Sequence, residues 1–234
     1  MSLVEVKNVS YGKGRKQIVN DVNFQLEPGK IVALLGENGS GKTTIIRLLA
    51  GLALRWQGTI TIAQEKVGTK TKAFVALLAD INDFPSDFSI EQVVAFYETM
   101  YADFDLGKAR QLLTFMELGE EEQLKNLSRG NREKLALLLT LSRKAQVYLL
   151  DEPLSGIDLL SREKIIQSLV RWFDEESLLV ITTHQLSEIE NLVDQVLILK
   201  EGTIALHADL ESVREEEGIG LEELYRQTML GERR

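Results

Sequence analysis

Eight residues, Gly36-Glu37-Asn38-Gly39-Ser40-Gly41-Lys42-Thr43, leave this chain few choices. They follow the apolar, β-branched run Ile31–Leu35 and precede a stretch from Thr43 whose apolar residues keep helical spacing until Gly51. A buried strand that turns through glycines into a helix commits the neighbourhood to α/β architecture. Backbone N–H groups of such a turn form a nest for phosphate oxygens, and the positive helix end adds to the attraction. Lys42 is then placed to reach terminal phosphates and the Thr43 hydroxyl to ligate Mg²⁺, with Thr44 beside it. The spelling G-x-x-x-x-G-K-[ST] in this context implies a nucleoside triphosphate site.

The flanking sequence alternates strand and helix signals. Leu3–Val9 alternates apolar and polar residues as a strand does, and Tyr11–Gly14 reads as the turn after it. Gln17–Leu26, Gly58–Ala63 and Ala73–Leu78 are further expected strands, with Gln64–Lys72 a polar loop. Ser89 is placed to cap a helix through about Met100, and Lys108–Leu118 and Asn131–Leu141 also carry helical periodicity. Residues 81–143 therefore read as a helical insert. Val147–Leu150 and Leu178–Thr183 are expected parallel strands, and Val196–Leu199 with Gly202–Leu206 a late strand pair. The whole, 1–234, reads as one domain with a mostly parallel sheet, closed by an acidic helical tail over 209–234 that is taken as a surface appendage.

Two more signals carry chemistry. Val147–Leu150 ends in Asp151-Glu152, and an Asp at the carboxyl end of the strand beside the P-loop can hold Mg²⁺ through its water shell. Glu152 would then lie where a carboxylate accepts a proton from attacking water. His184 closes the Leu178–Thr183 strand, again at a carboxyl end, where α/β sheets place ligands. His207 has no such context.

Charge narrows the partners. A formal net charge of −9 argues against binding to a nucleic-acid backbone. With no cysteine, neither disulfides nor a thiolate metal site is possible. No secretory pattern opens the sequence, and its longest apolar stretch, Ala73–Ala79, is far too short for a bilayer, so a soluble protein is expected.

Together these residues resemble the ATP-binding subunit of ABC transporters from about Leu3 to Leu210. Leu127-Ser128-Arg129-Gly130-Asn131 looks like the LSGGQ signature, Ser155-Gly156-Ile157-Asp158 matches the D-loop, and His184 matches the switch histidine. The resemblance implies an antiparallel β subdomain, a P-loop core and an inserted helical subdomain. It implies ATP and Mg²⁺ as ligands, with Tyr11 stacking on adenine and Ser128 and Gly130 meeting the γ-phosphate held by an opposite subunit. Asp158 would tune that interface, and Glu152 with His184 and Lys42 would carry out hydrolysis. The implied partners are a homo- or heterodimeric mate and a separate transmembrane permease, which places the chain in the cytoplasm on the inner membrane face.

The sequence departs from the family pattern in two places. Arg129 replaces the first signature glycine and Asn131 the glutamine. Counting back from Ser89-Ile90-Glu91, the usual Q-loop glutamine falls on Asp80, where a carboxylate could neighbour Mg²⁺ or serve as a plain loop acid. Leu141–Ala145, Phe96-Tyr97 and Tyr101–Asp105 look like small bacterial exporter ATPases of GntR-regulated operons, some linked to drug or peptide export. A nucleic-acid- or ribosome-directed ATPase and an ATP sensor that barely turns over are the competing readings. Charge and the absence of long heptads oppose the first; Glu152 and His184 oppose the second.

Overall fold

The computed structural model describes residues 2–14 and 16–232; the final two positions expected in the tail lie outside them. A hairpin of β1 (Val4–Lys13) and β2 (Lys16–Leu26) leads into β3 (Lys30–Gly36) and helix α1 (Lys42–Leu49). Strands β4 (Gln57–Ile62), β5 (Glu65–Lys66) and β6 (Val75–Leu77) follow. Helices α2 (Ile90–Met100), α3 (Leu106–Met116) and α4 (Arg129–Leu141) fill the middle of the chain. Next come β7 (Val147–Asp151), α5 (Leu159–Trp172), β8 (Leu178–Thr182), α6 (Leu186–Ile189) and β9 (Gln195–Lys200). Strand β10 (Thr203–Asp209), α7 (Leu210–Glu217) and α8 (Leu221–Leu230) complete it.

Ten strands make two sheets among the described residues. The first, ordered β2-β1-β4-β5, is antiparallel; the second, β10-β9-β3-β8-β7-β6, is parallel except for its β9–β10 edge pair. The parallel strands are apolar without interruption because both faces are covered. Ile31, Ala33 and Leu35 of β3 face a core shared with the helices, while Val32 and Leu34 face a second core shared with α1 and the antiparallel sheet. Tyr148 and Leu150 alternate with Val147 and Leu149 of β7 in the same way. Burying both faces of the central strands fixes their register, since a one-residue slip would swap every side chain between cores.

Several expectations change. Tyr11 lies within β1, not in a turn, because Tyr11, Gly12 and Lys13 pair with Val19, Gln17 and Lys16 of β2. The Gln64–Lys72 loop holds β5 and a 3-10 turn, Lys70–Ala73, which shortens the following strand to Val75–Leu77. Strand order, for which the sequence carries no expectation, places β8 between the P-loop strand and the strand ending in Asp151. The tail is not an appendage. Leu210, Leu221 and Leu224 are fully buried in the larger core, and Gly218, at φ +70°, divides the tail into two helices.

The helices of the insert end where their caps dictate. Ser89 accepts from the Gln92 N–H while the Gln92 side chain accepts from the Ser89 N–H, a reciprocal cap at the start of α2. Arg143, 6% exposed, fastens the far end of the insert to the sheet. Its guanidinium pairs with Asp103 at 3.0 Å, donates to the Val75 carbonyl and lies over the Tyr101 ring. Breaking such a nearly buried pair costs about 3–5 kcal/mol, so the insert is anchored at this edge.

Candidate active site

The parallel strands deliver their chemistry at their carboxyl ends. Beyond β3 the P-loop wraps the start of α1, where Gly41 at φ +113° occupies a conformation that side chains resist. A Cβ there would also lie 3.1 Å from the Ile18 carbonyl, a tight approach that adds to the backbone strain. Lys42 is folded over the loop, its Nζ donating to the carbonyls of Gly36 at 2.7 Å and Glu37 at 3.2 Å. Burial lowers its ammonium pKa, and the charges of Glu152 and Asp151 oppose that shift. Beside it the Ser40 hydroxyl is buried with no hydrogen-bond partner among the described residues. That hydroxyl does not line the cavity beside the P-loop; what suits an anionic ligand is the Lys42 ammonium and the Thr43 hydroxyl at the start of α1, residues that do.

A cavity of about 750 Å³ joins the P-loop residues Asn38, Gly39, Gly41, Lys42, Thr43 and Thr44 to Glu152 and His184. The phosphate loop and both expected hydrolytic groups, three signals far apart in sequence, thus share one space. Glu152 sits at φ +54°, with its N–H donating to the Thr182 hydroxyl at 2.9 Å. A non-glycine residue held in the left-handed region points to a fixed side-chain direction at a functional site. That direction puts Glu152 Oε1 3.1 Å from His184 Nε2. Asp151 accepts from the same Thr182 hydroxyl at 2.6 Å, so one threonine on β8 orients both acids. The strand that separates β7 from the P-loop strand is therefore also the one that aligns them.

Other expected residues lie elsewhere. Tyr11 does not line the cavity; its ring packs half-buried against the antiparallel-sheet core. Asp80 caps a 3-10 turn, accepting from the Asn82 N–H and side-chain amide at 2.9 Å each, and Asn82 in turn accepts from Arg132 of α4 at 3.0 Å. It lines a second cavity, of about 590 Å³, that also reaches Asp151 and Glu152. Ser128 caps α4 by accepting from the Asn131 N–H at 3.1 Å. Ser128, Gly130 and Asp158 lie outside the P-loop cavity. Asp158 caps α5 through the Ser161 N–H and hydroxyl, which hold its carboxyl below the usual range.

Sequence reasoning missed the cavity's outer wall. Lys16, Gln17 and Ile18 of β2, Ser155, and the Glu201-Gly202 turn line it. The Asn20 N–H donates to the Gly202 carbonyl at 2.8 Å, closing the wall. Glu201-Gly202 is legible as a turn between strands, yet nothing local says that it lines the P-loop cavity.

A strand–P-loop–helix unit with a carboxylate pair and a histidine at neighbouring strand tips defines a P-loop ATPase. The particular family follows from comparison: the family described as ABC transporter matches residues 19–155, and this chain belongs to it. The ABC transporter ATP-binding protein YtrB of Bacillus subtilis is 30% identical over 217 residues, 92% of this chain and 74% of that protein. The lantibiotic transport ATP-binding protein SrtF of Streptococcus pyogenes is 26% identical over 99% of this chain and all of its own length. A solved ATP-binding subunit of an ABC transporter superposes with a TM-score of 0.85 at 24% identity, covering 97% of this chain and 99% of its own. The chain is accordingly an ATP-binding, ATP-hydrolysing subunit of the ABC class, whose members work with membrane permease components.

Proposed function

We propose that this chain powers an exporter by closing on ATP against a second nucleotide-binding domain, a copy of itself or a close relative, and reopening after hydrolysis. The observation that carries the reading is a separation within one chain. P-loop, Glu152 and His184 share a cavity, while Ser128, Gly130 and Asp158 lie outside it. Leu159 and Leu160, which follow Asp158, are 59% and 72% exposed, an apolar contribution to a face that a second subunit would cover. In the paired state Ser128 and the Gly130 N–H would meet the γ-phosphate bound by the mate, and Asp158 would tune the contact between the two halves.

Within the site, Gly36–Gly41 would cradle the phosphates and Lys42 would neutralise their charge. Glu152 would take the proton of the attacking water, and His184, in contact with it, would hold the γ-phosphate. Tyr11 would offer adenine its ring face. Mg²⁺, when bound, supplies charge neutralisation at the phosphates. Thr43 and Asp151 would hold it, the substrate's own oxygens completing the shell as is usual for this ion. Asp80 would approach the ion only by leaving its turn.

Export through a separate permease fits the names of relatives that serve lantibiotic transport and, at 30% identity, Nod factor export in Burkholderia orbicola. No helix among the described residues is long and apolar enough to cross a membrane. The helical insert, with the loop near Asp80–Phe84 whose Phe84 ring meets Phe96 and Tyr97 of α2, would carry the motion to the permease. The protein would then work on the cytoplasmic face of the membrane, with no role for nucleic acid. Glu152→Gln tests the reading: turnover should fall by at least about 100-fold, and ATP-Mg²⁺ should trap a dimer visible by size exclusion. A variant that stays monomeric at saturating ATP-Mg²⁺, alone and with its cognate ATPase partner, would refute the paired site.

A further inference from the structure

The loop Pro153–Asp158 follows Glu152 directly, and the first turn of α4 grips it at two points. At Gly156, φ +68°, a Cβ would lie 2.3 to 2.7 Å from the terminal atoms of the Arg129 guanidinium, so the guanidinium lies flat across the glycine. At Gly130 a Cβ would lie 2.4 Å from Ser161 Oγ and 3.0 Å from Asp158 Oδ2. Consecutive residues of the signature element thus touch the D-loop at Gly156 and at Asp158, one by adding a side chain and the other by lacking one. Arg129 also lines the second cavity together with Asp80, Glu133, Asp151 and Glu152. Glu133, one helical turn along α4, is shifted upward by burial, and the Arg129 charge opposes that shift.

We infer that Arg129 is a positioning residue that clamps the D-loop to α4 of the same chain, so that the Ser128 element and the Glu152 carboxylate shift as one body. The inference rests on the role proposed for Glu152. A planar guanidinium suits the task because it can lie against a bare backbone, and it keeps its charge at any working pH. The remaining loop contacts support the same path. The Ser155 N–H donates to the Glu152 carbonyl at 3.1 Å, Gln185 donates to the Leu154 carbonyl, and Arg162 to the Ile157 carbonyl. With the loop held at Leu154 and Ile157, Gly156 is the point through which the Arg129 side chain reaches it. Arginine at the first signature glycine is then an added clamp on this loop.

A double-mutant cycle tests the clamp. Arg129→Ala should lower kcat about tenfold, the scale of a small misplacement of a catalytic group, and leave the KM for ATP unchanged because the P-loop cavity is untouched. Its thermal midpoint should stay within about 2 °C of wild type, as for an exposed side chain. Gly156→Ala places a methyl where the guanidinium lies and should lower kcat to a similar level. The backbone strain of alanine at positive φ is present with or without Arg129 and cancels in the cycle. Combining the two should therefore cost no more than Gly156→Ala alone. Losses that multiply, a KM that rises with unchanged kcat, or wild-type kcat in Arg129→Ala would overturn the clamp. Failure of the role given to Glu152 shows separately, as undiminished turnover in Glu152→Gln.

Discussion

Around the P-loop, β3, β7 and β8 bring Lys42, Glu152 and His184 to one cavity, with the β9–β10 turn closing its side. Around Ser128 the reverse holds. The serine satisfies its own helix, Asp158 satisfies another, and two leucines face outward. The first region is a cavity that gathers charged groups from several strand tips; the second is an exposed surface whose polar groups already cap their own helices. The contrast teaches that charged groups converging on one cavity from separate strands mark where a small ligand enters. A capped, exposed helix start flanked by apolar side chains instead marks where a large surface arrives.

That contrast can be broken at either end. Lys42→Ala removes the charge from the first region and should weaken ATP binding by the lone chain at least tenfold, roughly the worth of a charge-assisted hydrogen bond, in an equilibrium binding assay. Unchanged affinity would remove the P-loop from the account. Ser128→Ala should leave ATP affinity of the lone chain alone and still lower turnover about tenfold. Its thermal midpoint should also fall by a few degrees for a lost cap worth about 1 kcal/mol. If lone-chain affinity falls with it, the two regions are not separate. Tyr11→Ala should have the smallest effect, about fivefold on affinity, the scale of one aromatic contact. No change would confine Tyr11 to the β1–β2 pairing and the core beneath it.

Much of this was legible in the sequence, for physical reasons that also explain the failures. Central strands such as Ile31–Leu35 and Val147–Leu150 stood out because a strand buried on both faces has no polar positions. Ser89 announced its helix because a cap is a local chemical event. What failed was non-local. Gly12 and Gly14 suggest an early turn, yet pairing with β2 carries β1 through Lys13. The glutamates of the tail mask Leu210, Val213, Leu221 and Leu224, whose burial is decided by the core beneath them. Asp80 followed two residues later by Asn82 was readable as a side-chain-capped turn, whereas the reach of Asn82 to Arg132 required the fold. Strand order was the deepest omission, since periodicity within a strand carries no record of its neighbours.

That order has a metric consequence. Neighbouring strands lie about 4.8 Å apart, so the interposed β8 sets the P-loop strand and the strand of Asp151 about 10 Å from each other. A row of linked phosphates can lie across that span, with a histidine reaching in from the middle tip. The sheet thus acts as a ruler. Its pitch is fixed by backbone hydrogen bonds that no point substitution can rewrite, so evolution can exchange the side chains at the three marks while the distances between them hold.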